Sequence, residues 1–389
     1  MKMRALHFGA GNIGKGFIGY LLSKNGYDVC FVDVNQRMID DINQHNRYEV
    51  EILSEELHME TISSVTALNS ITQQNEVIGS IVHADIITTS VGVQNLSKVA
   101  VILAEGLKKR VKSNPREINI MANENAIHAS STLKTEVYKN LTQGEAEAID
   151  EMTSFPNTAV DRLALSRPGD NGEIPMVEPF YEWVIDQSER IEDHLPLLQG
   201  VTYTNDLLPY IERKLCIVNM GHAATAYLGH LAGYQTIRET LEDAEIAFIV
   251  KGSMQEAARY IEMKFDANLE ELNDFIDKIL SRFKNPRVND DVKRVGRSPI
   301  RKLGNNERML KPALTLFNAG VPVNYLSEAI AAGFLFDNPE DEESEKLQEF
   351  ISAKGINKAV EEISGIKNTE LIEEISNKYN ALKKKRLSV

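Results

Sequence analysis

RALHFGAGNIGKGFIGYLLSKNGYDVCFVD, residues Arg4 through Asp33, decides the fold. An apolar stretch from Arg4 to Gly9 has the composition of a buried strand. It runs into Gly9-Ala10-Gly11-Asn12-Ile13-Gly14, a GxGxxG. From Ile13 to Asn25 the apolar residues fall at helical spacing, and Tyr27 to Asp33 is a second buried strand. In that context each glycine has a task. Gly9 permits the tight turn, Gly11 lets the backbone approach a pyrophosphate, and Gly14 allows the helix to pack against the strand. The start of the helix attracts phosphate, so the loop Gly9, Ala10, Gly11, Asn12, Ile13 and Gly14 is expected to cradle a dinucleotide. Asp33 closes the second strand 19 residues after Gly14. A carboxylate there would accept hydrogen bonds from ribose hydroxyls and repel a 2′-phosphate, which favours NAD over NADP. A glycine-rich turn in an unrelated α/β protein, with Asp33 an ordinary strand-end acid, is the alternative. The order of strand, motif, helix, strand and acid weighs against it.

Further strands are expected at Asp85 to Ser90 and Glu117 to Ala122, with an amphipathic helix from about Asn95 to Lys109 between them; Asn35 can cap a helix towards Gln44. Such alternation predicts an α/β domain, a doubly wound parallel sheet of Rossmann type. Asp85 and the stretch Thr88 to Gly92 are expected at the carboxyl edge of that sheet. From about residue 205 the pattern turns helical, as in Arg238 to Lys264, Leu269 to Phe283, Val323 to Phe336 and Glu343 to Ala353. The domains are therefore placed at 1–195, binding the dinucleotide, and 196–389, a mainly α-helical substrate domain. Residues 150–204 carry several Pro and Gly and are read as the last strands plus a crossover.

The chain has 389 residues, enough for two cores of ordinary size. Its charge of −14 opposes binding to nucleic acid. No apolar run approaches the ~18 residues of a membrane span, and no signal-peptide pattern opens the chain, so a cytoplasmic protein with no membrane partner is expected. Cys30 and Cys216 lack the spacing of a disulfide framework or a zinc site, and no metal is expected. The Lys383 to Arg386 run reads as a solvated helix end.

Lys214, Asn219 and His222 lie in the apolar helical segment Ile211 to Leu231. Offsets of five and eight residues put Asn219 and His222 about 140° and about 80° from Lys214, so all three share a face. Oxidising a secondary alcohol needs a base for the hydroxyl proton and donors for the developing oxyanion; a buried lysine with a lowered pKa can be that base. Polar residues on one helix face are more often solvated or core-satisfying, so the triplet alone decides little. Lys293 to Lys302 holds Lys293, Arg294, Arg297, Arg301 and Lys302 and no acid, against the sign of the whole chain. Arginine forks suit phosphate, and Gly296 and Pro299 are expected to make a loop that presents them. Arg294 and Arg297 are the first choices; pairing with Asp290, Asp291 and helix ends is the competing use.

Lys214-x4-Asn219-x2-His222 resembles the signature of the polyol-specific long-chain dehydrogenases. The stretches GAGNIGKGFIG (Gly9 to Gly19) and RFKNPRVNDDVKRVGRSPIRKL (Arg282 to Leu303) are similar to the shorter, phosphate-using branch of that family, and the likeness covers nearly the whole chain. The resemblance implies NAD-dependent, metal-independent interconversion of a hexitol phosphate and a ketohexose phosphate, with mannitol 1-phosphate and fructose 6-phosphate as the pair, in a monomer or homodimer. It implies that Lys214 is the general acid/base, that Asn219 bonds the reacting oxygen and that His222 orients substrate. Asn157 matches a position supplying a second oxyanion donor. Asn123, in Asn123-Glu124-Asn125, matches a motif near the nicotinamide, though capping of the next helix explains it as well. Glu178 and Trp183 are candidates to line the substrate cleft, though a lone tryptophan is more often a packing anchor. Two other functions remain open: a hexuronate oxidoreductase of the same family, whose arginines would meet a carboxylate, and a non-catalytic NAD(H)-binding regulator, which would have no use for a proton acceptor.

Overall fold

A computed structural model describes residues 2–54, 56, 58–169, 172–191 and 195–386. The chain divides into two compact units, Met1–Leu208 and Pro209–Val389. The sequence reading put the boundary at 195/196. Strand Thr202–Thr204 carries the first unit further, because it pairs in parallel with Glu182–Asp186.

Six strands form the main sheet of the first unit, in the order Val65–Asn69, Asp28–Asp33, Arg4–Phe8, Ile86–Thr89, Ile118–Ala122 and Thr153–Ser154. Every neighbour pair is parallel. Counted along the chain within this sheet the order is 3-2-1-4-5-6, the doubly wound arrangement whose carboxyl edge binds dinucleotides at the point where strand order reverses. Parallel strands need cover on both faces, which is why they read as unbroken apolar runs. Leu6, Phe8, Ile87 and Ile120 pack under helix Leu96–Ser113 on one side, while Ala5, Val29, Phe31 and Ile86 pack with Phe17 and Ile18 on the other. Helix Gln36–His45 starts as expected, with the Asn35 side chain accepting from Met38 N at 3.3 Å.

Two smaller sheets depart from the sequence reading. Hairpin Arg47–Ile52 and His58–Ser63 joins Gly172–Val177 and Ala164–Gly169, and Glu182–Asp186 sits between Thr158–Asp161 and Thr202–Thr204. Among the described residues of 150–204 only Thr153–Ser154 extends the main sheet.

The second unit is helical throughout its described residues. Leu208–Ala232 runs as one helix in three stretches, with a π-turn over Lys214–Asn219 in the middle. Its buried side, including Cys216, Ile217, Met220, Ala224 and Tyr227, packs into a core shared with Ala244–Phe265 and Asn324–Phe334. The expected helix Arg238 to Lys264 is two, because Asp243 turns extended and caps Ala244–Phe265 through Glu245 N and Ile246 N. Lys293 to Lys302, expected as a loop, folds as two short helices, Val292–Gly296 and Pro299–Lys302. Asp291 caps the first by accepting from Arg294 N, and Pro299 opens the second, where its missing N–H costs nothing.

Candidate active site

Gly9 follows strand Arg4–Phe8 with φ +97°, a conformation that favours glycine, and its amide donates to the Val32 carbonyl at 2.8 Å. A Cβ at Gly14 would collide with the Gly9 carbonyl, whereas one at Gly11 would meet no protein atom within 4 Å. The space beside Gly11 is thus open where a pyrophosphate approaches such loops. Helix begins at Asn12 and passes through a π-turn, Gly14–Ile18. Asp33 ties the second strand to the loop: Oδ2 accepts from Ala10 N at 2.8 Å, and Oδ1 from Val34 N at 2.7 Å and Asn35 N at 3.0 Å.

His7 was not singled out in the sequence, yet it supports this loop. It is fully buried, with Nδ1 2.7 Å from Thr88 Oγ1 and Nε2 2.8 Å from Ser90 Oγ. Burial pushes its pKa down to about 3, so the ring is neutral at ordinary pH. A lone polar residue in the apolar run Arg4–Phe8 was the available signal. Glu124 does a similar job at the next strand end: its carboxylate takes Thr89 Oγ1 at 2.7 Å, Val91 N at 2.9 Å and Gly92 N at 2.8 Å. Beside it Asn123 N donates to the Thr89 carbonyl. The Asn123 side-chain amide is buried and has no hydrogen-bond partner among the described residues. Open space at Gly11, the placement of Asp33 and the orphan amide of Asn123 together fit a dinucleotide.

Asn157 is differently employed. Its two N–H groups go to Ser131 Oγ at 2.7 Å and to the Glu189 carboxylate, at 3.2 Å to Oε2, while Oδ1 accepts from Ser131 N. The amide therefore braces helix Ala129–Tyr138 instead of standing ready for an oxyanion. Asp85, expected at the carboxyl edge, lies at the amino end of its strand, where it accepts from Arg4 N and pairs with Arg116. Glu178 accepts from Leu163 N, and Trp183 is buried against Phe17. Both are buried within the first unit.

Lys214, Asn219 and His222 are all partly buried on the helix Leu208–Ala232. The sequence reading assumed α-geometry, with Asn219 about 140° from Lys214. The π-turn changes this, since i→i+5 bonding widens the winding and returns residue i+5 closer to the face of residue i than an α-helix would. His222 stacks on Phe283 with centroids 4.8 Å apart, and its Nε2 lies 2.7 Å from Asp290 Oδ2. Burial would raise the Asp290 pKa, but hydrogen bonds and charge from His222 and Arg294 hold it below the ordinary value. An ionised carboxylate only accepts, so Nε2 of His222 carries a hydrogen towards Asp290, and whenever the ring carries one proton Nδ1 is the acceptor.

The cationic block divides. Arg294 places Nε 3.0 Å from Asp290 Oδ1, with Nη2 on the same oxygen, and so supports the His222 pair. Arg297 is exposed, with Nε donating to the Arg294 carbonyl at 3.3 Å. Lys302 turns inward to the Val295 carbonyl. Among the described residues no group of three or more His, Cys, Asp or Glu could hold a metal ion, and no helix is long and apolar enough to cross a membrane.

A family model for the mannitol dehydrogenase Rossmann domain matches residues 3–199, and one for the mannitol dehydrogenase C-terminal domain matches residues 206–383. The chain belongs to the mannitol dehydrogenase family and is an oxidoreductase. More particularly, its curated relatives include the mannitol-1-phosphate 5-dehydrogenases of Bacillus licheniformis and Bacillus subtilis. The first is 44% identical, covering 94% of this chain and 96% of its own. The second is 43% identical, covering 95% and 97%. That of Caldanaerobacter subterraneus is 41% identical over 98% and 99%. Among solved structures, a substrate-free D-sorbitol dehydrogenase superposes with TM-score 0.86 at 15% identity, over all of this chain and 94% of that one. Pseudomonas fluorescens mannitol 2-dehydrogenase, solved with NAD and D-mannitol, gives 0.74 at 18% identity over 100% and 93%. At such identities these structures speak for the fold.

Proposed function

We propose that the protein is an NAD-dependent enzyme interconverting mannitol 1-phosphate and fructose 6-phosphate by metal-independent hydride transfer. The observation that carries this reading is the helix Leu208–Ala232, whose π-turn brings Lys214 and Asn219 towards one face and whose next turn carries His222 beside Asp290. Relatives named for this reaction, at 40–44% identity over nearly the whole chain, favour the phosphorylated hexitol over a hexuronate. Two unpaired cysteines fit a reducing cytoplasm.

Bound NAD supplies the acceptor for the hydride leaving the alcohol carbon. The chain supplies the rest. Gly11 and the helix start hold the pyrophosphate, Asp33 takes the ribose hydroxyls through the acceptor capacity its carboxylate keeps, and Asn123 offers its unpaired amide at the strand end. Lys214, as the neutral amine, takes the hydroxyl proton during oxidation and returns it to the carbonyl oxygen during reduction. Asn219 donates to that oxygen as charge develops on it. His222 accepts a substrate hydroxyl at Nδ1 while Asp290 fixes its tautomer. Arg297 is left as the phosphate candidate of the original pair, since Arg294 serves Asp290.

The test is NADH consumption with fructose 6-phosphate, compared with fructose, fructuronate and NADPH. Turnover confined to NADH and fructose 6-phosphate is expected. Preference for fructuronate would overturn the substrate, and NADH binding without turnover of any of the three would favour a regulator.

A further inference from the structure

Beyond Arg297 the cationic block ends in a cluster that the chemistry above does not use. Glu307 holds two guanidinium groups side by side, with Oε1 3.5 Å from Arg301 Nη1 and Oε2 3.2 Å from Arg308 Nε. Lys302, next to Arg301, is 7% exposed, and its ammonium donates to the Val295 carbonyl, one acceptor for three hydrogens. Burial first, then the nearby charges of Arg308 and Arg301, push its pKa down to about 7, with Arg297 adding to them and Asp341 opposing. Tyr227 adds a second unsatisfied donor. It is fully buried, its hydroxyl has no hydrogen-bond partner, and the charged groups acting most strongly on it are Arg308 and Arg301.

The neighbouring acids are already engaged. Asp341 Oδ2 accepts from Ser298 N at 2.8 Å, and Glu343 Oε2 from Arg301 N at 3.0 Å. Arg297, Arg301, Lys302 and Arg308 thus outnumber the three carboxylates beside them, while a buried ammonium has a single acceptor and a buried phenol has none among the described residues. Burying such donors unpaired is costly, and an anion with several oxygens removes that cost. Paired guanidinium groups suit the oxygens of phosphate in particular.

We propose that Arg301, Lys302, Arg308 and Tyr227, with Arg297 at their exposed edge, form a binding site for a phosphate dianion, either a phosphate monoester or free inorganic phosphate. On the functional reading above, which this step uses only to name the occupant, the monoester is the substrate's phosphate. Inorganic phosphate offers the same chemistry from another source.

Calorimetric titration of the full-length protein with inorganic phosphate tests the site directly. Binding is expected for the wild type, with affinity weakened about 10 to 100-fold in Arg308→Gln, the effect of losing one charge-assisted contact, and about threefold or more in Tyr227→Phe. Circular dichroism shows whether each variant folds; Tyr227→Phe keeps size and shape and carries the test where Arg308→Gln does not fold. The ratio of kcat/KM for fructose 6-phosphate to that for fructose then separates the sources. A ratio falling in the same variants assigns the site to the substrate's phosphate. An unchanged ratio with phosphate binding lost assigns it to the free ion. Phosphate affinity and ratio both unchanged in a folded variant overturn the proposal. Absence of any turnover of fructose 6-phosphate would sink the functional reading while the titration still reports on the site.

Discussion

His222 Nε2 and Asp290 Oδ2 lie 2.7 Å apart, and the other oxygen of Asp290 takes the Arg294 guanidinium. One carboxylate thus fixes the tautomer of the imidazole and is itself kept ionised by hydrogen bonds from His222 and the Arg294 guanidinium. Asp290→Asn keeps the shape but can donate to the ring, so it allows the opposite tautomer. A fall in kcat of at least about tenfold is expected, with the NADH dissociation constant within about twofold of wild type. Steady-state kinetics with a fluorescence titration of NADH measures both. Unchanged kcat would reduce Asp290 to a packing role.

Lys214 should be separable from cofactor binding because it lies outside the glycine-loop unit. Lys214→Ala is expected to lower turnover by at least about a thousandfold while NADH still binds. A variant with residual activity near wild type would remove Lys214 from proton transfer.

Two glycines of one motif should fail in different ways. A Cβ at Gly14 meets the Gly9 carbonyl, so Gly14→Ala should lower thermal stability by about 2 kcal/mol or more. A Cβ at Gly11 meets no protein atom, so Gly11→Ala should melt within about 0.5 kcal/mol of wild type yet bind NADH at least about tenfold more weakly. Equal effects on melting and binding in both variants would contradict the assignment of Gly11 to the pyrophosphate.

The elements that sequence made legible are those whose burial is uniform. Strands buried on both faces, such as Arg4–Phe8 and Ile118–Ala122, show as apolar runs, and Leu269–Phe283 shows its helical period to the residue. Arg47–Ile52 alternates polar and apolar residues and could have been read as a strand; its partner His58–Ser63 is too exposed to show a pattern. Lys214, Asn219 and His222 were legible as a spacing, but the π-turn between the first two has no residue signature. Asn157 looked like an oxyanion donor because the glutamate that engages it stands 32 residues further on. For Arg294 the sequence left two uses open, a phosphate or pairing with Asp290 and Asp291, and the fold takes the second, with Asp290 Oδ1 on its Nε while Oδ2 faces His222.

Asp33 has two duties, and a substitution should expose both. Its carboxylate holds Ala10 N, Val34 N and Asn35 N, and would also receive the ribose. Asp33→Ser removes the charge that repels a 2′-phosphate and the clasp on the loop. The ratio of kcat/KM for NADH over NADPH should fall by at least about tenfold, with KM for NADH rising as well. If the ratio stays fixed while KM rises, Asp33 is a loop clasp and cofactor choice lies elsewhere.

His7 gives the sheet a dependence on acid. Folded, its pKa is pushed down to about 3 by burial, against 6.5 for an unhindered imidazole. Below pH 6.5 the unfolded chain takes up a proton that the folded chain refuses. The contribution of neutral His7 is therefore complete above 6.5 and drains away as pH falls towards 3, by up to about 5 kcal/mol. His7→Gln keeps a donor and an acceptor for Thr88 and Ser90 but does not titrate. It should melt below wild type at pH 7.5, where its fit to the two hydroxyls is poorer. The gap should narrow steadily as pH falls to 4.5, because only the wild type loses stability through this residue. Scanning calorimetry across that range measures the gap, and one that stays constant with pH would show that His7 is not held neutral in the fold.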